Sequence, residues 1–171
     1  GLDIAAEDAI LTQQNQGATR LHVVVPVLPH ISNHTDFDAL RLHPEIDLQF
    51  ISLSQPLSPC DLVILPGSKN VRDDLAQLCR HGWDTMLRRH LRYGGKLLGI
   101  CGGYQMLGET IADPLGLEGK PGCSQGLGLL PIRTVFAPEK TRTRVRGSFQ
   151  KTGGILKDMS GVPLEGYEIH M

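Results

Sequence analysis

The chain has 171 residues, of which 40% are hydrophobic and 20% are charged. That length suits one domain with a substantial core, and that composition is not that of a disordered chain or a membrane protein. Because 17 basic and 18 acidic residues give a formal net charge of -1, we expect a small molecule as the ligand, and neither nucleic acid nor an anionic membrane as a partner.

Strands and one short helix are predicted in the first part of the chain. Residues 20–28, RLHVVVPVL, form a β-branched run that is typical of a buried parallel strand. Thr35 or Asp36 is placed to cap a short helix, and the alternating residues 46–53 predict a second strand. Residues 61–68, DLVILPGS, predict a third, buried strand that ends in a Pro-Gly turn.

Helices are predicted next. From Asn70 the apolar residues recur at intervals of three and four, which is the spacing of helices packed against a sheet. Gly82 is expected to divide two helices, and Gly94 to end the second. Residues 96–100 then predict a short strand, and residues 103–111 a further helix. This order of elements is that of an α/β domain with a mostly parallel sheet.

The last third of the chain is richer in turn residues. After Asp113 the content of Gly and Pro rises, which predicts a long loop over residues 114–131. Residues 132–137, 143–150 and 167–171 predict strands, which we expect as antiparallel additions to one edge of the sheet. The chain opens without Met and stops directly after an apolar segment, so we expect a fragment of a longer protein.

The cysteines indicate a reducing compartment. Cys60, Cys79, Cys101 and Cys123 are too widely spaced for a C-x-x-C metal or redox pair. The N-terminal GLDIAAEDAI is acidic and lacks the basic segment and long apolar core of a signal peptide. We therefore predict reduced thiols, no metal site and a cytoplasmic location.

One cysteine has an unusual setting. The stretch LLGICGGYQ places Cys101 between a strand and a helix, with Gly99, Gly102 and Gly103 around it. Such a turn forces strained backbone angles on its central residue, and only glycine neighbours leave room for it. The thiol would stand at the carboxyl edge of the sheet, where a helix N-terminus favours the thiolate and free amides can bind an oxyanion. Although many free cysteines are buried structural residues, this context predicts a nucleophile.

These motifs carry a family resemblance. The segment GICGGYQMLG resembles the cysteine elbow of class I, triad-type glutamine amidotransferases, and LPGSKN resembles their oxyanion loop. The segments VPVLPHISNHTDFDAL, DLVILPGSKN and GYEIHM narrow the resemblance to the amidotransferase domain of the cobyric acid synthase family, with His34 standing where an aromatic residue is expected. The resemblance covers residues 20–171, and residues 1–19 would be the end of a connection from another domain.

The resemblance implies a fold and a set of roles. The fold would be a three-layer, flavodoxin-like α/β sandwich. Cys101 would attack the side-chain amide of glutamine and release ammonia. Backbone amides at Gly102 and around Gly67 and Ser68 would hold the oxyanion, and Gln105 would help to hold the bound glutamine.

The general base is the open question. His170 is the local candidate, with Glu168 two residues before it on the same strand face. The resembled family carries its histidine in a later Gly-Thr-Tyr-x-His-Gly-like segment, which this sequence does not contain. We therefore expect His170 to be a structural residue of a domain that is truncated at its C-terminus, and the alternative is that His170 is itself the base.

The resemblance also assigns the rest of the reaction to another domain. No cofactor is expected here, because G-x-x-x-x-G-K-[ST] occurs nowhere in the sequence. ATP and Mg²⁺ would bind an N-terminal synthetase domain of the same polypeptide, which would amidate corrin side-chain carboxylates. Two alternatives are the amidotransferase domain of cobyrinic acid a,c-diamide synthase and a non-catalytic binding domain on the same fold.

Overall fold

The computed structural model describes residues 21–138 and 141–170. Its largest sheet has four parallel strands. These strands lie in the order β2-β1-β3-β4, and they are β1 (Leu21–Val27), β2 (Ile46–Ser52), β3 (Leu62–Leu65) and β4 (Lys96–Gly99). The four strands predicted from the sequence before residue 101 are confirmed. The chain forms two compact units, Gly1–Val135 and Phe136–Met171.

Side-chain alternation along the strands divides the core between the two faces of this sheet. Val23 on β1 is in register with Leu48 on β2, and Val24 is in register with Val63 on β3. Successive strand residues point to opposite faces, so these two pairs lie on opposite sides. On the first side Phe37 packs into a buried cluster that is formed by Val23, Val25, Phe37, Leu48 and Ile64.

Phe37 is supplied by the short helical segment between β1 and β2. A 3-10 turn over His34–Phe37 continues into α1 (Asp38–Arg41). The cap position of this turn is Asn33, whose φ of 52° is left-handed, and not Thr35 or Asp36 as predicted. The prediction failed because the turn begins earlier: Asn tolerates the left-handed region, so Thr35 and Asp36 lie inside the turn.

Two amphipathic helices follow β3 as predicted. They are α2 (Val71–Arg80) and α3 (Trp83–Arg92). Gly82 divides them with a φ of 77°, and Gly94 follows α3 with a φ of 91°, so both predicted breaks are confirmed. The buried apolar side chains of the two helices are Val71, Leu75, Leu78, Trp83 and Leu87.

The chain after Cys101 differs from the prediction. The helix α4 covers only Gly102–Met106 and stops well before residue 111, because residues 110–113 form the strand β5 (Thr110–Asp113). The alternating burial of β5 is that of a strand. The amide of Glu109 donates to the carbonyl of Ile132 at 2.7 Å, which draws the chain out of the helix and into a second sheet.

This second sheet has the order β6-β5-β7, with β6 (Gly122–Gln125) antiparallel and β7 (Arg133–Val135) parallel to β5. The predicted loop over residues 114–131 therefore contains a strand. The strand predicted at residues 132–137 exists, but it pairs with β5 and is not an antiparallel addition to the first sheet.

The smaller unit contains an antiparallel hairpin. Its strands are β8 (Thr141–Ser148) and β9 (Pro163–His170), and a 3-10 segment over Gly154–Met159 lies between them in the chain. The strands predicted at residues 143–150 and 167–171 are thus present, although Met171 lies outside the described residues. Within the described residues they pair with each other as a two-stranded sheet of their own. No helix of the described residues has the length and apolar character that a membrane span requires.

Candidate active site

Cys101 occupies a sharp turn between β4 and α4. Its φ and ψ are 49° and -111°, and Asn33 is the other residue besides glycine with a positive φ in the described part of the chain. Such angles cost a residue with a side chain about 1–3 kcal/mol. The side chain is exposed, and the helix begins at the next residue. The predicted elbow geometry is therefore confirmed.

The glycines around Cys101 are required by close backbone contacts. A Cβ atom on Gly103 would lie 2.2 Å from the carbonyl oxygen of Leu65, at the end of β3. A Cβ atom on Gly99 would lie 2.6 Å from the backbone nitrogen of Tyr104. Real side chains do not approach backbone atoms so closely. The elbow therefore depends on the absence of side chains at these positions.

The loop after β3 lies directly against the elbow. The Cβ position of Gly67 is 3.8 Å from the Cβ atom of Cys101, and the Cβ position of Gly102 is 2.9 Å from the backbone nitrogen of Ser68. The structure therefore brings together four of the five residues predicted for the site: Cys101, Gly67, Ser68 and Gly102. Within the described residues, the amides of Ser68 and Gly102 donate no hydrogen bond to protein acceptors.

Gln105 is the fifth of the predicted residues. It lies one helical turn after the cysteine on α4, and its amide donates to the carbonyl of Cys101 at 3.1 Å. Its side chain is half-buried and is held by no hydrogen bond within the described part of the chain. Its role in holding glutamine stays a prediction.

The loop after β1 is part of the same region and was missed from the sequence. Ile31 pairs with Ser68 in an antiparallel bridge, and the amide of Ser32 donates to the carbonyl of Gly67 at 2.9 Å. The Oγ atom of Ser32 is 2.6 Å from the Cβ position of Gly67. The segment HISNHTDFD carried the family resemblance, but its pattern did not predict that Ser32 lies beside the oxyanion loop.

A buried acidic residue, Asp74 on α2, was also missed. Its side chain is fully buried, and the sequence contained a signal that could have found it. Asp74 lies three residues after Val71 and four before Leu78, on the apolar stripe of the helix. A carboxylate on such a stripe requires polar partners inside the protein.

Two further carboxylates, those of Asp113 and Glu118, accept hydrogen bonds from backbone amides near the N-terminus of α2. The amide of Val71 donates to Glu118 Oε2 at 2.8 Å, and Asp113 accepts from the amides of Leu117 and Glu118 at 2.8 and 2.9 Å. Burial acts to raise the pKa of Asp113, but these amides, that of Gly116 and the charge of Arg72 outweigh it and hold the pKa below its usual value. Burial, against the opposing Val71 amide, raises the pKa of Glu118.

One side-chain cluster has the composition of a cation site. His30, Asp73 and Asp74 offer ligand atoms within 4.8 Å of one another. Both carboxylate oxygens of Asp74 already accept hydrogen bonds from protein donors, Oδ1 from His30 and Oδ2 from Ser68. We therefore interpret the cluster as a hydrogen-bond network.

The candidate base belongs to the smaller unit. The backbone of His170 is the last position of β9 and is in register with Thr141, which fits the predicted strand. The side chains of His170 and Glu168 lie outside the described residues. Whether His170 acts as a base or as a structural residue stays a prediction.

The geometry defines a class of protein: an α/β domain with a cysteine on a strand-to-helix elbow at the carboxyl edge of a parallel sheet. The model of a family described as the CobB/CobQ-like glutamine amidotransferase domain matches residues 22–171, and the chain belongs to this family. The family resemblance seen in the sequence is therefore confirmed.

Relatives within this family are similar over the whole chain. The chain is 56% identical over 171 residues to cobyric acid synthase of Photobacterium profundum, covering 99% of this chain and 34% of that protein. It is 55% identical over 172 residues to cobyric acid synthase of Vibrio vulnificus, covering 100% of this chain and 34% of that protein. The chain thus spans about a third of the length of these relatives.

The chain is also similar to solved structures. A crystal structure of a candidate peptidase E protein from Listeria monocytogenes EGD-e is similar with a TM-score of 0.51 at 15% identity, over 68% of this chain and 66% of that one. The structure of PurLQS from Thermotoga maritima matches over 51% of this chain and 42% of that one, with a TM-score of 0.44 and 25% identity. The first similarity supports the α/β fold.

Proposed function

We propose that this chain is the ammonia-producing part of a cobyric acid synthase and that Cys101 is its nucleophile. The observation that carries the proposal is the convergence of two uncommitted backbone amides, those of Ser68 and Gly102, on the elbow of an exposed cysteine. Donors fixed in this way stabilise negative charge as it develops on a carbonyl oxygen.

The chemistry consists of two steps. The Cys101 thiolate attacks the side-chain carbonyl carbon of glutamine, the carbon–nitrogen bond breaks, and the nitrogen leaves as ammonia after it accepts a proton. Water then hydrolyses the γ-glutamyl thioester, which releases glutamate and restores the thiol. Such covalent catalysis divides one difficult hydrolysis into two easier reactions.

The other predicted residues hold the substrate. Gly67 allows the loop to approach Cys101, and the Ser68 and Gly102 amides bind the oxyanion, where one donor is worth about 2.7–4 kcal/mol. Gln105 binds the glutamine, because its half-buried side chain is uncommitted within the described residues. A Cβ atom on Gly67 would lie 2.6 Å from Ser32 Oγ, and one on Gly102 would lie 2.9 Å from the backbone nitrogen of Ser68, so a side chain at either position would displace the loop.

A histidine must accept and return the proton. We propose that it lies in chain that follows residue 171, with His170 as the alternative. Without a base, a site of this kind retains roughly 10³- to 10⁴-fold acceleration over water from binding and the oxyanion hole. A glutaminase assay of the native polypeptide with His170→Ala distinguishes the two: full activity excludes His170, and loss of activity with normal folding assigns it.

The ammonia would serve an ATP-dependent amidation of corrin side-chain carboxylates in the cytoplasm. Support comes from the relatives described as cobyric acid synthases, of which this chain matches 34%. ATP and Mg²⁺ would bind an N-terminal synthetase domain in the same polypeptide, and no residue of this chain is assigned to them. An assay of which corrin acid is amidated separates this proposal from a cobyrinic acid a,c-diamide synthase.

Labelling with a glutamine-mimicking diazoketone tests the nucleophile. In the native polypeptide we expect one adduct, on Cys101 by peptide mass spectrometry, that excess L-glutamine prevents. Cys123→Ser is the matched control, because Cys123 is also exposed but lies on β6. Labelling that is unselective, or that glutamine does not prevent, would indicate a binding domain without glutaminase chemistry.

A further inference from the structure

Asp74 connects two loops at the carboxyl edge of the sheet. Its Oδ2 atom accepts a hydrogen bond from Ser68 Oγ at 2.6 Å, and its Oδ1 atom accepts from the backbone amide of His30 at 3.1 Å. The Nδ1 atom of His30 lies 2.8 Å from the same Oδ1. Ser68 belongs to the loop after β3 and His30 to the loop after β1, so one buried carboxylate holds both.

Backbone pairing holds the same two loops in a defined register. The amide of Ser32 donates to Gly67 and the amide of Lys69 donates to His30, each at 2.9 Å. These two bonds flank the Ile31–Ser68 bridge, which makes Ile31 and Ser68 a pair that is not hydrogen-bonded to each other. The amide of Ser68 therefore points away from Ile31 and is available on the side where Gly102 lies.

The position of Ser68 thus depends on two sets of contacts. Its neighbouring peptides are fixed by the loop after β1, and its side chain is fixed by Asp74. The same hydroxyl oxygen accepts from the amide of Asn70 at 3.0 Å, where α2 is capped. Oxyanion donors act over a narrow range of distance, and a displacement of about 1 Å can cost roughly 100-fold in rate.

We propose that Asp74 is a positioning residue for the oxyanion hole, which it acts on through Ser68. This inference rests on the proposed glutaminase function and deepens it. A carboxylate accepts with both oxygens and carries a charge that strengthens each bond, whereas an amide has one accepting oxygen and would turn an NH₂ group toward His30 or toward Ser68. An amide would therefore weaken the attachment of one loop, because it replaces a charge-assisted bond with a neutral one, while leaving the volume of the core unchanged.

The test compares Asp74→Asn with Asp73→Asn in the native polypeptide. Asp73 is the adjacent residue on α2, but its side chain is 47% exposed and its Oδ2 lies 3.7 Å from His30 Nδ1. For Asp74→Asn we expect kcat for glutamine hydrolysis to fall roughly 10- to 100-fold with KM within about twofold, because the oxyanion forms only in the transition state. Asp73→Asn should stay within about twofold in both.

A second readout distinguishes positioning from general damage. Alkylation of Cys101 by iodoacetamide builds no oxyanion, so its rate should be unchanged in Asp74→Asn if the elbow itself is intact. Ser68→Ala removes the hydroxyl that Asp74 holds and that also accepts from the amide of Asn70. It tests the proposal if Asp74→Asn fails to fold. We expect Ser68→Ala to lower kcat in the same way with unchanged alkylation.

The outcomes separate the two proposals. If the wild-type protein hydrolyses glutamine and both Asp74→Asn and Ser68→Ala keep the wild-type kcat, the role of Asp74 is overturned. The proposed function would still stand. A parallel loss of hydrolysis and alkylation would mean that Asp74 supports the fold and not the oxyanion hole. If the wild-type protein neither hydrolyses glutamine nor is labelled by the glutamine mimic, the proposed function itself fails.

Discussion

Two cysteines at opposite edges of the parallel sheet make an instructive pair. Cys60 precedes β3 at the amino edge, and its Sγ atom lies 4.0 Å from His90 Nδ1. The Nε2 atom of the same ring lies 2.9 Å from the carbonyl oxygen of Lys96, which orients Nδ1 as the acceptor of the thiol proton. Cys101 follows β4 at the carboxyl edge and has no such partner assigned within the described residues.

The comparison indicates that contact with a histidine is not enough to predict a nucleophile. Burial, and then the charge of Asp61, raises the pKa of Cys60, which disfavours the thiolate form that a nucleophile needs. Cys101 instead has an exposed side chain, a helix that starts at the next residue and uncommitted amides beside it. The position in the fold, and not the nearest side chain, separates the two.

The largest expected effect is on glutamine hydrolysis. Cys101→Ala should lower the glutaminase activity of the native polypeptide by at least about 10³-fold, because no nucleophile is left to form the thioester. Amidation supported by added ammonia should survive. Cys60→Ser is the matched control and should retain the activity of the wild type.

Either of two results would contradict this contrast between Cys60 and Cys101. Loss of activity in Cys60→Ser with normal folding would give the pair at the amino edge a catalytic role. Equal loss of the glutamine-dependent and ammonia-dependent reactions in Cys101→Ala would contradict a separate ammonia-producing site.

A smaller effect is expected from the elbow glycines. Gly103→Ala would place a methyl group 2.2 Å from the Leu65 carbonyl oxygen, so we expect a loss of stability of about 3 kcal/mol and a displaced thiol. Gly153→Ala is the control, since Gly153 has no atom within 4 Å of its Cβ position and a φ of -127°. Thermal denaturation measures the stability of both variants, and a glutaminase assay measures the effect on the thiol. An active and stable Gly103→Ala protein would contradict the close contact between residue 103 and the Leu65 carbonyl.

The smallest effect concerns Cys60. Because its pKa is raised, less of it is thiolate near pH 8, and iodoacetamide should alkylate it more slowly than a cysteine in an unstructured peptide. The pH at which the alkylation rate reaches half of its maximum should be higher than the ordinary cysteine pKa of about 8.5. Asp61→Asn should shift that midpoint downward, since it removes the second cause. A midpoint at or below about 8.5 in the wild type would contradict the contrast with Cys101.

Local patterns were enough to predict much of the fold. The β-branched run at β1 and the apolar spacing of α2 and α3 are properties of adjacent residues, and Gly82 and Gly94 have the positive φ that their positions required. The Cys101 turn was predictable for the same reason. Its glycines and its cysteine are neighbours in the sequence.

Contacts between distant residues were not predictable in this way. The helix at residues 103–111 was extended too far because the bond from Glu109 to Ile132 crosses 23 residues. Asp74 meets Ser68 six residues away but His30 44 residues away, and only the folded sheet brings these loops together. The place of Ser32 beside Gly67 depends on the same long-range pairing.

The backbone angles of Cys101 have an evolutionary consequence. Glycine adopts a φ of 49° without the strain that any side chain incurs there, so a cysteine lowers the stability of this turn by about 1–3 kcal/mol. Selection for stability alone would replace it with glycine. A lineage that keeps this fold but abandons the chemistry is therefore expected to drift toward glycine at the elbow, while lineages that retain cysteine there keep a less stable residue for the sake of its thiol.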